Sequence, residues 1–143
     1  MSYTYEFLPD VALADIAYRV NADSLTALFC GAAEGLTRVL VGSDGVGSDQ
    51  QQPLSLEEDN ITDALHSFLS EIVYLKDAHS FLVHHVDLRV AETPLVSITG
   101  TFHGDTIDPL RHELGQDVKA VTYHMFEAGQ NERGYYAQVV LDI

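Results

Sequence analysis

The run Ser24-Leu25-Thr26-Ala27-Leu28-Phe29-Cys30-Gly31-Ala32-Ala33-Glu34-Gly35-Leu36-Thr37-Arg38-Val39-Leu40-Val41-Gly42 sets how the rest of the chain is read. Leu25, Leu28, Phe29, Ala32, Ala33, Leu36, Val39 and Leu40 recur at the i, i+3, i+4 spacing of an amphipathic helix. Asp23 or Ser24 supplies an N-cap oxygen, and Gly42 a stop. Such a stripe has to be buried against another element, so the flanking segments are read as candidates for that partner.

Upstream, Tyr3–Leu8 and Ala14–Val20 alternate apolar and polar residues, as strands do, with Pro9-Asp10 breaking the chain between them. Downstream, Gly42–Pro53 is polar and glycine-rich with no period, and reads as a mobile loop. A short strand is expected at Leu54–Leu56. The acidic lead-in Glu57–Asn60 suits the positive end of a second helix, whose apolar face is Ile61, Ala64, Leu65, Phe68, Leu69, Ile72, Val73 and Leu75. Strands are then expected at Phe81–Val90, Leu95–His103, Lys119–Glu127 and Tyr135–Ile143, with turns at Glu92–Pro94, Asp108-Pro109 and Gly129–Asn131. The expected fold is α+β: a single two-layer domain over residues 1–143, with two amphipathic helices on one face of a mixed, mostly antiparallel sheet.

Composition narrows the function. The 143 residues carry 22 Asp+Glu against 7 Lys+Arg, a formal net charge of −15, with 46% hydrophobic residues. That apolar content argues against disorder. Seven scattered basic residues cannot build a surface that displaces counterions from phosphates, so neither direct nucleic-acid binding nor an anionic membrane is an expected partner. Cations and basic protein surfaces are. A single cysteine, Cys30, excludes an internal disulfide and points to a reducing compartment. The first ten residues do not read as a signal peptide, and no apolar run reaches membrane-spanning length, so the expected location is the cytoplasm.

Few residues stand out chemically. His84 and His85 are adjacent in an expected strand, so they should point to opposite faces and cannot share an ion from there. With no HxxxH and no CxxC, a zinc site has no sequence support. Gly42–Gly47 lacks the Gly-Lys-Ser/Thr of a phosphate loop, Cys30 falls near the apolar face of its helix, and no Ser sits in a nucleophile elbow. Two carboxylates remain. Asp15 interrupts the apolar stretch Val11–Ala17, and Asp142 lies in the terminal Val139-Val140-Leu141-Asp142-Ile143. With Val140 facing in and Leu141 out, Asp142 is either a solvated strand end or the partner of a cation. Were the two strands neighbours, Asp15, Asp142 and the terminal carboxylate of Ile143 would form a hard oxygen set suited to Ca²⁺, Mg²⁺ or Mn²⁺.

The C-terminal third, Val118-Lys119-Ala120-Val121-Thr122-Tyr123-His124 and the ending Leu141-Asp142-Ile143, resembles the archease family. Further likeness comes from Gly104-Asp105, Asp108-Pro109 and His112-Glu113, from the helix Leu69–Asp77, and from Ser24–Phe29 with Ala32-Ala33, so the resemblance runs through the chain in order. It implies a small cytoplasmic accessory protein, itself without catalytic activity, that activates an RtcB-type tRNA-splicing RNA ligase. The implied activity is promotion of the ligase's guanylylation and its multiple turnover. The resemblance also implies a divalent-metal site, calcium in the family, at Asp15, Asp142 and Ile143. Lys119 and His124, on the expected strands, are candidate partner-facing residues of the same surface, with a core or structural role as the equal alternative. One departure stands: the family's Asp-His-Thr-Ala-Asp reads Val11-Ala12-Leu13-Ala14-Asp15 here, keeping Ala-Asp but not the His or Thr that would surround the ion. The alternative is a diverged metal-binding or protein-interaction module of this fold with no ligase role.

Overall fold

The computed structural model describes residues 2–9, 15–42 and 45–143. Its elements run β1 (Tyr3–Phe7), β2 (Ile16–Ala22), α1 (Leu25–Leu40), β3 (Gln50–Glu58), α2 (Ile61–His79), β4 (Phe81–Ala91), β5 (Val96–Thr106), β6 (Ala120–Val121), β7 (Glu127–Asn131) and β8 (Gly134–Asp142). The α+β reading holds, with both amphipathic helices where the periodicity puts them. The strands, however, form two sheets rather than one, and every pairing among the described residues is antiparallel. The larger sheet has the order β1-β2-β8-β6, with β7 also on β8; the smaller is β3-β5-β4. No described strand of one sheet approaches a strand of the other within 8 Å between Cα atoms; each helix contacts both sheets and so joins them. The junction is aromatic: Phe68 of α2 lies 5.2 Å from Phe29 of α1 and 5.7 Å from Phe102 of β5, all three fully buried.

Local chemistry explains the helix ends. Ser24 Oγ accepts from the Ala27 N–H at 3.1 Å, and Asn60 Oδ1 accepts from the Asp63 N–H at 2.8 Å. Gly42 is not what stops α1. Val41 turns extended and bridges to Leu114, while the Gly115 and Gln116 N–H groups donate to the Leu40 and Val39 carbonyls at 2.8 and 3.0 Å. A passing extended segment thus satisfies carbonyls the helix leaves open. Gly115 is required there, because a Cβ would strike the Val39 carbonyl. Helix α2 runs to His79, four residues past Leu75, and stops at Ser80 in a left-handed conformation (φ 52°). On α1, a Cβ at Gly35 would come 2.5 Å from the ring of fully buried Tyr18, whose hydroxyl donates to the Ala32 carbonyl at 2.6 Å. That glycine lets the helix seat directly on β2.

Two expected segments are redrawn. Gln50–Pro53 is not loop but the start of β3, paired residue by residue with Gly104–Thr101. Its polar side chains and Pro53 are compatible with an edge strand, where one face and one ladder side stay open. The rest of the expected loop is held too: Val46 is buried and the Gly47 N–H donates to Asp105 at 3.3 Å, while Ser43 and Asp44 lie outside the described residues. Lys119–Glu127 is not one strand. Ala120-Val121 pairs as β6, a turn through Met125 (φ 60°) follows, and Glu127 already begins β7, which takes in Gly129–Asn131, with the hairpin turn falling at Glu132-Arg133. Side chains take over from the ladder here: His66 Nε2 bonds the Val121 carbonyl at 2.6 Å and Gln138 Nε2 the Met125 carbonyl at 2.8 Å.

Candidate functional site

Strand β8 sits between β2 on one edge and β6 with β7 on the other, so its C-terminal end gathers residues from distant parts of the chain. The β2–β8 ladder closes on Ile16 opposite Leu141, and the next residue outward on each strand is a carboxylate, Asp15 and Asp142. On the opposite edge Ala120 pairs with Asp142, and the Lys119 N–H donates to the Asp142 carbonyl at 2.8 Å. Three strand ends therefore meet: Asp15, Asp142 and Lys119. Val139, Val140 and Leu141 are fully buried, and Asp142 is the first exposed residue beyond them. The phase of β8 is the reverse of the sequence expectation. Val139 and Leu141 belong to the core, whereas Val140 is buried on the other face, which period-two alternation makes the face of Asp142 as well. Ile143, half-buried, packs against the core edge.

The neighbouring segment is anchored from α2. Lys76 is buried, yet its Nζ reaches Asp117 Oδ1 at 2.8 Å, Asp77 Oδ1 at 3.0 Å and the Val118 carbonyl at 2.7 Å. The Lys76 ammonium holds the Asp117 carboxyl below its ordinary range through a hydrogen bond and its charge. This clamp sets the chain immediately before Lys119. A cleft of about 440 Å³ opens beside Asp15, between Leu8-Pro9, Arg38-Val39 of α1 and Gly115-Gln116, with mainly apolar walls. His124 is not brought to the carboxylates. It is exposed in the Tyr123–Phe126 turn, which returns along the middle of β8 near Gln138, and its N–H donates to Thr122 Oγ1 at 3.0 Å. Asp10 and Val11–Ala14, where the family's Asp, His and Thr would fall, lie outside the described residues.

Two clusters were not legible as sites in the sequence. The first is buried. Asp105 accepts from the Arg111 guanidinium and the Gly47 N–H and faces His112 Nε2 at 3.4 Å, while His112 Nδ1 accepts from the Asp108 N–H at 2.9 Å. That last bond leaves the ring proton on Nε2, which lies near Asp105 but makes no hydrogen bond among the described residues. The cluster ties the 45–47 and 105–112 segments together. The second lies on the outer face of the smaller sheet: His85 of β4 pairs directly with His103 of β5, and Asp87 is two residues along β4. The His85 and His103 rings stack at 4.5 Å and 6°, and His103 Nε2 is 2.9 Å from Asp87 Oδ2. Burial and the neighbouring His103 hold the His85 imidazole below its ordinary pKa, against an opposing pull from Asp87. The expectation that His84 and His85 face opposite ways fails, since both are exposed with rings 5.3 Å apart. A β-bulge between Val83 and His85 breaks the alternation there. Among the described residues, His85, Asp87 and His103 are the group of three His, Cys, Asp or Glu side chains whose donor atoms all lie within 4.8 Å of one another. Asp15 and Asp142 acquire no third side chain of that kind within the described residues.

The model of the Archease protein family matches residues 5–143. Protein archease of Archaeoglobus fulgidus is 30% identical over 139 residues, covering 97% of this chain and 98% of the relative. The solution structure of protein 1598 of Methanobacterium thermoautotrophicum superposes with a TM-score of 0.78 at 25% identity, covering 97% of this chain and 98% of its own. A crystal structure from Thermotoga maritima, of an archease and possible chaperone, gives 0.59 at 20% identity over 95% and 96% of the two chains, a likeness of fold. No helix among the described residues is long and apolar enough to cross a membrane.

Proposed function

Because the chain belongs to the archease family, we propose that it is an accessory protein, not itself catalytic, that activates an RtcB-type tRNA-splicing RNA ligase by promoting guanylylation of that enzyme in the cytoplasm. The observation that carries this reading is the ladder end, where Asp15, Asp142 and Lys119 meet on three adjacent strands. Acidic groups projecting from a rigid strand end suit contact with a basic, metal-bearing partner, and the net charge of −15 supports approach to such a surface rather than to RNA.

The donor chemistry there fits a hard divalent ion. Asp15, Asp142 and the terminal carboxylate of Ile143 would hold it, with calcium first and magnesium or manganese as alternatives. When bound, such an ion supplies a positive charge that phosphate oxygens can share. The protein's own contribution is positional. The fully buried Val139–Leu141 fixes the height of Asp142, the Lys119 N–H occupies its carbonyl so that only the carboxylate faces outward, and Lys76 pins the strand carrying Lys119.

The test is reconstitution with the cognate ligase, following formation of the ligase–nucleotide adduct. The expected result is acceleration by the wild-type protein that is lost with Asp142→Ala or Asp15→Ala. No acceleration by wild type overturns the ligase role and leaves the diverged-module reading, which the missing His and Thr before Ala14-Asp15 favour. Undiminished acceleration by both variants overturns the assignment of the site.

A further inference from the structure

We propose that His85, Asp87 and His103 form a second metal site, for a divalent first-row transition ion, on the face of the β3-β5-β4 sheet and separate from the Asp15–Asp142 end of the larger sheet. Three observations carry it. First, the three donors are set by backbone register, not by flexible surface chains. His85 and His103 are directly opposed across the ladder, and Asp87 is on the same strand and face, two residues from His85. Second, the spacing is close to that of a coordination shell. Two ligands each about 2.0–2.2 Å from one ion in a tetrahedral shell lie roughly 3.3–3.6 Å apart. His103 Nε2 and Asp87 Oδ2 are already at 2.9 Å, and all three donor atoms fall within 4.8 Å of one another. Third, the backbone positions are held. His103 is only 17% exposed, and the bulge places His84 outside the pairing so that His85 stands opposite His103. The two rings lie parallel, so one of them turns about its side-chain bonds for both lone pairs to meet on one ion.

The donor set selects the ion. Two imidazoles and one carboxylate match Zn²⁺, Co²⁺ or Ni²⁺ and disfavour Ca²⁺ and Mg²⁺, which take oxygen ligands. With three protein donors and Asp87 75% exposed, positions remain for water or for a donor from another molecule. Binding takes His103 as the neutral imidazole with Nε2 unprotonated, any proton there passing to solvent, so that this nitrogen and Asp87 Oδ2, 2.9 Å apart, both become ligands.

The test is isothermal titration of the untagged full chain with ZnCl₂, in a non-chelating buffer with Ca²⁺ in excess to occupy any hard-oxygen site. One equivalent of Zn²⁺ is expected to bind. Both His85→Ala and His103→Ala should weaken it by more than about 100-fold, beyond the 10–100-fold typical of losing a residue that only supports a ligand. Asp142→Ala should leave it unchanged, which separates this site from the one proposed for ligase activation. Visible absorption of the Co²⁺ form gives an independent readout, with a ligand-field spectrum that the double histidine variant lacks. Absence of Zn²⁺ binding by wild type, equal binding by the double histidine variant, or loss of binding in Asp142→Ala overturns the proposal.

Discussion

The two sheets offer two kinds of site, built by opposite routes. On the larger sheet, Asp15 and Asp142 sit where strands end, Asp142 immediately past a run of fully buried residues, and their chemistry is that of hard oxygen donors. On the smaller sheet, His85, Asp87 and His103 sit within paired strands, and their chemistry is that of imidazole nitrogen with one carboxylate. The first arrangement gathers residues by bringing chain ends together; the second by cross-strand register. A strand-end site tolerates a changed neighbourhood but depends on everything that fixes the strand. A register site depends on a few pairings and on the bulge beside them.

The largest expected effect comes from breaking what the two sites share. Since the helices join the sheets through Phe29, Phe68 and Phe102, Phe68→Ala should cost about 3–5 kcal/mol, measured by urea denaturation. One coincident transition by probes on both sheets is the expected outcome, and two separated transitions would show that the sheets are independent units. Next, Lys76→Met should cost about 2 kcal/mol by removing charged hydrogen bonds to Asp117 and the Val118 carbonyl, and should reduce ligase activation while sparing Zn²⁺ binding. Loss of both readouts together would mean that the clamp serves the whole fold rather than the strand end.

Asp142→Ala should change unfolding stability by less than about 0.5 kcal/mol, because the side chain is exposed, yet abolish activation of the ligase. A large stability loss would instead make Asp142 structural. The smallest effect is on pH. The Asp117 carboxyl is lowered in the folded state by Lys76, so its contribution is present above the ordinary carboxylate range and fades as pH falls through the lowered value. Since Asp117 is 83% exposed, solvent screens most of that effect. Denaturation midpoints below pH 4 should therefore drop slightly more in wild type than in Lys76→Met.

Legibility differed between the same two regions. Asp15 and Asp142 could be found in the sequence because a carboxylate inside an apolar run is conspicuous, and the strand-end partnership followed once those strands were taken as neighbours. The phase of β8 was misjudged, since Val139, Val140 and Leu141 are all buried and alternation carries no signal when both faces are covered. Polar Gln50–Pro53 hid an edge strand for the converse reason, an open side that demands no apolar residue. His103 and Asp87 gave no signal at all. They lie 16 residues apart, and nothing local ties one to the other.

What the sequence by itself determined is the two helices, with a cap at Asp23 or Ser24 that the structure gives to Ser24, the strand-rich C-terminal half, the acidic charge and the family motifs, all of which depend on neighbours within a turn or a strand. Tertiary structure alone decided that the strands divide into two sheets joined by helices, that α1 ends on the Gly115 segment, and that His85 stands opposite His103. Each of those rests on the register between segments distant in sequence, and a bulge of one residue is enough to change which side chains share a face.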